Sequence, residues 1–162
     1  SPNGGSTYSF FTQLSFNKQS TKQQMKIENQ CFEEFPSIKR GIKNGIFYLN
    51  GESLHVFSVF DKKETPTWQS FTSNIPHDKC CLLFAHFDYI SATDGVERSK
   101  FVNILWSPAE ANRKEKMTMS FFTEKALMSL GALGSCRIQA GSMDELEESI
   151  IKEKVLRTVT VK

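Results

Sequence analysis

Basic and large apolar side chains recur at helical spacing along residues 113–128, and this combination suits the binding of a macromolecular partner. A helix turns by about 100° per residue, which divides the stretch into two faces. One face carries Arg113, Lys114, Met117, Phe121, Glu124 and Met128. A solvated face does not normally hold methionine and phenylalanine in line, so this face predicts a partner surface. Spacing alone leaves open the alternative that the helix packs on both sides within the domain.

The opposite face of the same helix is the expected core face. It carries Met119, Phe122, Ala126 and Leu130. The helix is predicted to begin at a capping box, Ser107-Pro108-Ala109-Glu110. In such a box the serine hydroxyl accepts from an early helical N–H, the glutamate reaches back, and proline takes the first helical position.

Cysteine and histidine side chains offer a different chemistry, that of a thiol hydrolase. The candidates are Cys80 or Cys81 with His55, His77 or His86 and with Asp88. Cys81 and His86 are five residues apart on one predicted strand, so their side chains point to opposite faces of a sheet. A cysteine nucleophile needs a base within hydrogen-bond reach, and no glycine-rich oxyanion loop follows either cysteine. The sequence therefore predicts that the chain is not an enzyme.

The spacing of the cysteines also argues against a metal site. Cys31, Cys80, Cys81 and Cys136 form no CxxC pair, and no histidine lies at zinc-ligand spacing. Cys80 and Cys81 open an apolar run, which indicates buried thiols in a strand. A reduced chain in the cytoplasm is the simplest interpretation.

Length and charge limit the remaining possibilities. The chain has 162 residues, 39% of them hydrophobic, which is enough for one domain with a sizeable core. Its 20 basic and 18 acidic residues leave a net charge of +2, too even for a nucleic-acid-binding protein. No apolar run reaches the ~18 residues of a membrane-spanning helix, and no signal peptide is evident.

Residues 1–23 are rich in Ser, Gln, Asn, Thr and Gly and keep no regular period. They are interpreted as a flexible N-terminal extension or a cloning remnant. The exceptions to this polar composition are Phe10, Phe11, Leu14 and Phe16. These side chains are candidates for docking on the domain or on a partner.

The predicted elements from residue 24 onward alternate between helices and strands. Helices are predicted over 25–39, from Pro108 and from Ser142, and a short helix is predicted to start at Thr65-Pro66-Thr67-Trp68. Strands are predicted over 46–49, 54–60, 80–89, 100–106 and 136–140. Pro36 is awkward inside the first helix and is expected to kink or end it near Phe35. Asn50-Gly51 predicts a two-residue hairpin turn.

The last predicted helix opens with a second S-x-x-E box, Ser142 to Glu145. Its buried side is expected to hold Leu146, Ile150, Val155 and Leu156. Taken together, the elements predict a mixed α/β fold. Its core would be one central mixed β-sheet of about five strands with helices on both faces.

Five separated parts of the chain share their order and spacing with a known family. They are Gln24-Met25-Lys26-Ile27 with Cys31-Phe32-Glu33-Glu34-Phe35 and Ile38-Lys39; Phe71, Ile75-Pro76 and Cys80; Gly95-Val96-Glu97-Arg98-Ser99-Lys100 before Trp106-Ser107-Pro108; Lys114-Glu115-Lys116-Met117; and Ile138-Gln139-Ala140 with Glu153-Lys154-Val155. In combination they resemble the actin-depolymerising factor/cofilin family over residues 24–162. This resemblance implies one domain of that fold and no bound cofactor, because the nucleotide belongs to actin.

The resemblance implies a first surface that binds both actin monomers and filaments. Carried over by position, it comprises Met25, Arg113, Lys114, Lys116, Met117 and Phe121. Lysine and arginine would meet acidic patches, while methionine and phenylalanine would enter an apolar cleft. Lys114 and Lys116 are also expected to attract anionic phosphoinositide headgroups.

The resemblance implies a second surface that contacts a neighbouring subunit only in the filament. By position it comprises Arg98, Lys100, Glu153, Lys154 and Arg157. A protein wedged between subunits would promote severing and depolymerisation of the filament. The resemblance also implies that the protein is a monomer and belongs to the cytoskeleton of the cytoplasm. Two alternatives stay open: a module that binds monomers or another partner with weak or no severing, or charges that form an ordinary solvated face.

One departure from the family bears on regulation. Many members carry a phosphorylatable serine just before the first helix, whereas Gln23, Gln24 and Met25 stand here. The usual switch is therefore expected to be absent.

Overall fold

The computed structural model describes residues 26–64 and 67–160. The predictions for residues 1–23 and for Met25 lie outside these ranges. The strands are β1 (Lys26–Ile27), β2 (Lys43–Asn50), β3 (Ser53–Asp61), β4 (Cys81–Ile90), β5 (Glu97–Trp106) and β6 (Cys136–Ala140). The helices are α1 (Asn29–Lys39), α2 (Trp68–Thr72), α3 (Arg113–Leu130) and α4 (Glu148–Thr160), with a 3₁₀ turn at Met143–Leu146.

The strands form one mixed sheet in the order β1-β3-β2-β4-β5-β6. The inner pairs are antiparallel, and both edge strands pair in parallel with their neighbours. The mixed sheet of the sequence prediction is confirmed, with six described strands in place of about five. The additional strand is β1, whose two residues are too few to produce a period that sequence reasoning can detect.

Helices cover both faces of the sheet, as predicted. Because side chains alternate along a strand, Leu82 and Phe84 of β4 face one layer, whereas Leu83 and Ala85 face the other. The first layer contains α1 and α3, and the second contains α2 and α4. Trp106, buried in the second layer, donates its indole N–H to the carbonyl of Pro76 at 2.8 Å.

The first helix begins later than the sequence predicted. The backbone N–H of Lys26 donates to Glu52 O, and that of Glu28 donates to Leu54 O. These bonds hold the start of the predicted helix at the sheet edge. Pro36 lies inside α1 without ending it, and its carbonyl still accepts from Arg40 N–H. Of the two expectations for Pro36, the one in which it ends the helix near Phe35 is therefore wrong, whereas the predicted helix end at Lys39 is confirmed.

The predicted capping box at the start of α3 is also wrong. The N–H of Ser107 donates to Ala140 O, which extends the β5–β6 contact beyond Trp106, and Ala111 N–H closes a turn onto Pro108 O. Helix α3 begins at Arg113, where Asn112 Oδ1 accepts from the N–H of Lys114 at 2.7 Å and of Glu115 at 3.4 Å. Asparagine is a preferred N-cap residue because its side chain satisfies these exposed donors.

Two other turns differ from prediction by small shifts. The β2–β3 hairpin has Gly51 and Glu52 at its turn, because Asn50 still pairs with Ser53. The residues after Ser142 form the 3₁₀ turn, and Glu145 Oε1 accepts from Gly141 N–H at 2.7 Å rather than completing an α-helical box. In α4, Val155 is buried as predicted, whereas Leu156 is exposed.

Helices α1 and α3 lie side by side on the first layer and run in the same direction. The N-terminal turn of α1 lies at Leu54, whose carbonyl accepts from Cys31 Sγ. At the other end, Lys39 Nζ donates to Gly131 O, the C-cap of α3, at 2.8 Å. Both helices therefore begin at the same end of the sheet.

Candidate functional site

Helix α3 presents a row of large apolar side chains to solvent. Met117 is 58%, Phe121 76% and Met128 59% exposed. We call the surface formed by Arg113, Lys114, Met117, Phe121, Glu124 and Met128 the α3 outer face; all six side chains are exposed. This exposure agrees with the face predicted from spacing. The alternative, in which the helix packs on both sides, does not hold for the described part of the chain.

The inner side of α3 fixes the orientation of that row. Met119, Ala126 and Leu130 are buried against the sheet as predicted, and Phe122 is half-buried. Thr123 and Leu127 are also buried, and the Thr123 hydroxyl donates to the Met119 carbonyl one turn earlier. Neither residue was predicted to be buried, although each falls within the arc of the core face.

Two of the three predicted cations at the start of α3 are available to a partner. Arg113 and Lys114 are exposed and make no ion pair within residues 26–64 and 67–160. Lys116 is half-buried, and its ammonium donates to Ala109 O at 3.3 Å. Lys116 follows Lys114 by two residues, and two residues turn a helix by about 200°. Lys116 therefore lies to the side of the outer face and is not part of it.

The predicted filament-side residues lie on the β4–β5 hairpin and on α4. We call Arg98, Lys100, Glu153, Lys154 and Arg157 the hairpin–helix surface. Arg98 and Lys100 line a groove of about 520 Å³ together with Leu156 and Val159 of α4. The fold therefore brings the hairpin and the C-terminal half of α4 together.

Both arginines of the hairpin–helix surface are already paired with carboxylates. Arg98 contacts Asp94 at 2.7 Å, and Arg157 contacts Glu153 at 3.5 Å. The Asp94 carboxylate accepts from Val96 N–H and from Arg98, and these bonds hold its pKa below the usual range. Lys100 is half-buried and makes no ion pair among the described residues.

A protein-family comparison decides which family carries this arrangement. The model of the cofilin/tropomyosin-type actin-binding proteins matches residues 24–156. The chain belongs to the actin-depolymerising factor/cofilin family. Its members are actin-binding proteins and not enzymes, which confirms the prediction that the chain is not a hydrolase.

The similarity extends over most of this cofilin-family chain at low identity. Actophorin from Acanthamoeba castellanii is 26% identical over 135 residues, covering 82% of this chain and 96% of actophorin. Cofilin from Streptomyces griseoflavus superposes with a TM-score of 0.65 at 22% identity, covering 82% of this chain and 98% of that one. Mouse coactosin, described as an actin filament binding protein, gives a TM-score of 0.61 at 18% identity, over 82% of this chain and 91% of coactosin. The two structures show the shared fold.

The cysteine and histidine chemistry of the cofilin-family chain is structural. Cys81 is buried on the second layer, whereas the His86 ring lies against α1 on the first, so the predicted separation of the two is confirmed. Burial raises the pKa of the Cys81 thiol above its usual range, and it raises that of Cys31 to about 12. All four thiols are buried and unpaired with one another.

His86 connects the sheet to the end of α1. Its Nε2–H points at the carbonyls of Ile38 and Lys39, at 3.2 and 3.0 Å. Burial lowers the pKa of His86, which favours the neutral ring. Beside it, Gly41 has φ +84°, a conformation that closes α1 and that glycine adopts most readily.

No helix in the described ranges is both long and apolar enough to cross a bilayer.

Proposed function

We propose that this chain binds actin monomers through the α3 outer face and binds filaments through that face together with the hairpin–helix surface, promoting severing and depolymerisation as a monomeric protein of the cytoskeleton. The observation that carries the proposal is the exposed row of Met117 and Phe121, which follows two exposed cations that form no ion pair with any described residue. An amphipathic helix of this design suits recognition by insertion into an apolar groove.

The apolar side chains of the α3 outer face are expected to contribute most of the binding free energy at this surface. Exposed aromatic and methionine side chains that become fully desolvated commonly dominate an interface, whereas exposed charges chiefly steer association. Phe121 is the most exposed large apolar side chain described. Arg113 and Lys114 add positive charge at the adjacent end of the helix, suited to acidic patches on the partner.

A second candidate, monomer binding with weak or no severing, is favoured by the charges of the hairpin–helix surface. Arg98 and Arg157 must exchange their present partners, Asp94 and Glu153, for groups on a neighbouring subunit. Exposed ion pairs of this kind are worth about 0–1 kcal/mol, so their exchange gains little free energy.

High-speed co-sedimentation with filamentous actin tests these functions. The protein is compared with a Lys114→Ala/Lys116→Ala variant, and both bound protein and actin in the supernatant are measured. Pelleting of the protein with a rise in soluble actin, both reduced in the variant, is expected for a depolymerising factor. A rise in soluble actin without pelleting of the protein identifies a monomer binder. If the protein does not pellet and soluble actin does not rise, the proposal is overturned.

A lipid arm of the same experiment tests the predicted phosphoinositide sensitivity. Vesicles containing phosphatidylinositol 4,5-bisphosphate are expected to reduce actin binding, because the cations at the start of α3 also attract phosphate. Vesicles of neutral phosphatidylcholine serve as the control. Equal actin binding in both kinds of vesicle contradicts the lipid proposal and leaves the actin proposal intact.

A further inference from the structure

The apolar row of the α3 outer face extends beyond the part assigned to actin. Met128 lies seven residues after Phe121, so the two side chains project from nearly the same side of the helix. From Met117 to Met128 the row is roughly 16 Å long at 1.5 Å per residue. Contiguous exposed apolar surface of this kind usually marks a contact. Nothing in residues 26–64 and 67–160 covers it.

The described chain begins at the same end of the sheet as α3. Lys26 pairs with Ser53, beside the end of β2, and Cys81 pairs with Trp106 at this same end. The chain then passes from Trp106 through the turn at Pro108 into α3. Since α1 and α3 run side by side and begin at this end, Lys26 lies at the end of the sheet where α3 begins.

The preceding 25 residues contain one concentrated apolar segment. Of their six large apolar or aromatic side chains, four fall within residues 10–16: Phe10, Phe11, Leu14 and Phe16. Their charged residues are Lys18 and Lys22, with no Asp or Glu. Attraction to the basic start of α3 is therefore excluded, and the contact that this segment offers is an apolar one.

The reach of the chain matches the row. Nine residues lie between Phe16 and Lys26, and the ten residue-to-residue steps that join them span at most about 35 Å when extended. Neighbouring helices lie about 8–10 Å apart, and Phe121 lies roughly 12 Å along the α3 axis from Arg113. A segment attached before α1 can therefore reach the middle of the outer face without strain.

We propose that residues 10–16 dock on the Met117–Phe121–Met128 row of the same molecule and compete there with actin. The docking itself stands on the geometry above, whereas the competition rests on the proposed function. The segment occupies the row in the free protein and leaves when actin binds. Apparent affinity for actin is reduced by the fraction of molecules in which the row is covered.

Methionine methyl signals provide a direct test of docking, because the chain has five methionines and three of them report on α3. The full chain is labelled with ¹³C-methyl methionine and compared with a tail variant, Phe10→Ser/Phe11→Ser/Leu14→Ser/Phe16→Ser. Docked phenylalanine rings are expected to shift the signals of Met117 and Met128, and the variant loses this shift. Met119, buried beneath the same helix, and Met143, in the 3₁₀ turn, are expected to stay unchanged.

A charge variant and a dilution series separate this proposal from its rivals. Lys18→Ser/Lys22→Ser changes the same segment without removing an apolar side chain, and it is expected to keep the shifts. Unchanged Met117 and Met128 signals in the tail variant overturn the proposal. Shifts that disappear on dilution also overturn it, because they place a second copy on the row.

Actin affinity then separates docking from the proposed function. The tail variant is expected to bind actin monomers about three- to tenfold more tightly than the wild-type chain. This is the gain expected if the segment covers the row in most wild-type molecules. Equal affinity of the two chains, without methyl shifts, overturns docking and leaves actin binding standing. Methyl shifts in a protein that does not bind actin keep the docking but overturn both the competition and the proposed function.

Discussion

The α3 outer face and the hairpin–helix surface hold their charges in opposite ways. On α3, Arg113 and Lys114 are exposed without an ion pair in the described ranges, next to a bare apolar row. On the hairpin–helix surface, both arginines are paired with carboxylates of the same chain. At the first surface a partner meets apolar area and cations that have no ion pair in the described ranges. At the second it meets arginines that must first be released from their carboxylates.

This difference indicates unequal contributions to binding. Apolar side chains gain free energy whenever water is excluded from them, whereas exchanging one exposed ion pair for another changes little. We expect the α3 outer face to set the affinity for actin. The hairpin–helix surface is then expected to adjust the preference for filaments over monomers.

The largest effect is expected from Phe121→Ser, which removes the most exposed aromatic of the α3 outer face. Loss of a desolvated aromatic anchor costs about 2 kcal/mol, so affinity for monomers and filaments falls at least tenfold. Titration of fluorescently labelled actin measures this change. Met143→Ser, which removes an exposed apolar side chain from the 3₁₀ turn, is the matched control. Equal losses in the two variants would contradict the comparison.

A smaller, selective effect is expected at the hairpin. Asp94→Ala releases the Arg98 guanidinium and is expected to raise filament affinity by up to about fivefold, consistent with an exposed ion pair worth 0–1 kcal/mol. Arg98→Ala is expected to lower it, with monomer affinity unchanged in both. Co-sedimentation and monomer titration report the two quantities, with Asp78→Ala as the control. A parallel change in monomer binding would count against a filament-specific role.

The N-cap of α3 supplies a test of how the first surface is positioned. Asn112→Ala is expected to lower the free energy of unfolding by about 1 kcal/mol, because two helix N–H groups lose their acceptor. Actin affinity falls modestly, since the turn carrying Arg113 and Lys114 frays. Urea denaturation gives the first quantity and titration the second. Ser142→Ala is the control, because Ser142 makes no capping hydrogen bond, and an equal loss there would be unexpected.

The smallest effect concerns pH and is expected to leave both surfaces intact. Burial lowers the pKa of His86 below its ordinary value of 6.5, with Lys62 acting in the same direction and Asp88 against it. As pH falls, the unfolded chain therefore binds the His86 proton before the folded chain does. The contribution of neutral His86 to the free energy of unfolding is fully present above pH 6.5 and declines as pH falls below it. Thermal unfolding between pH 7.5 and 5.5 is expected to show a shallower slope for His86→Gln than for the wild type. His77→Gln serves as the control; an unchanged slope in His86→Gln would refute this role.

The two-faced nature of α3 could be predicted because it depends on local periodicity. One turn every 3.6 residues separates Met119 from Phe121 whatever the surroundings, and burial follows the more continuous apolar side. Motif order likewise identified the family, since Trp106-Ser107-Pro108 and Lys114-Glu115-Lys116-Met117 keep their spacing.

Element boundaries escaped prediction where distant strands compete for the same backbone. Ser107 looked like an N-cap, yet its N–H is taken by Ala140, more than thirty residues away along the chain. Lys26 and Glu28 were assigned to a helix, but Glu52 and Leu54 accept from their N–H groups. Whether such a residue caps a helix or extends a strand depends on which hydrogen-bond partner lies near its backbone. The spacing of residues in the sequence does not show that partner.

By itself the sequence determined the family, the mixed sheet with helices on both faces, and the outward row of Met117, Phe121 and Met128, because each follows from local order or period. Only the tertiary structure decided which charges are available. It turns Lys116 back onto Ala109 and pairs Arg98 with Asp94, and it starts the described chain at the end of the sheet where α3 begins. These features depend on distances between atoms of separate turns and strands, and those distances are fixed only when the sheet closes its registers and the helices pack on it.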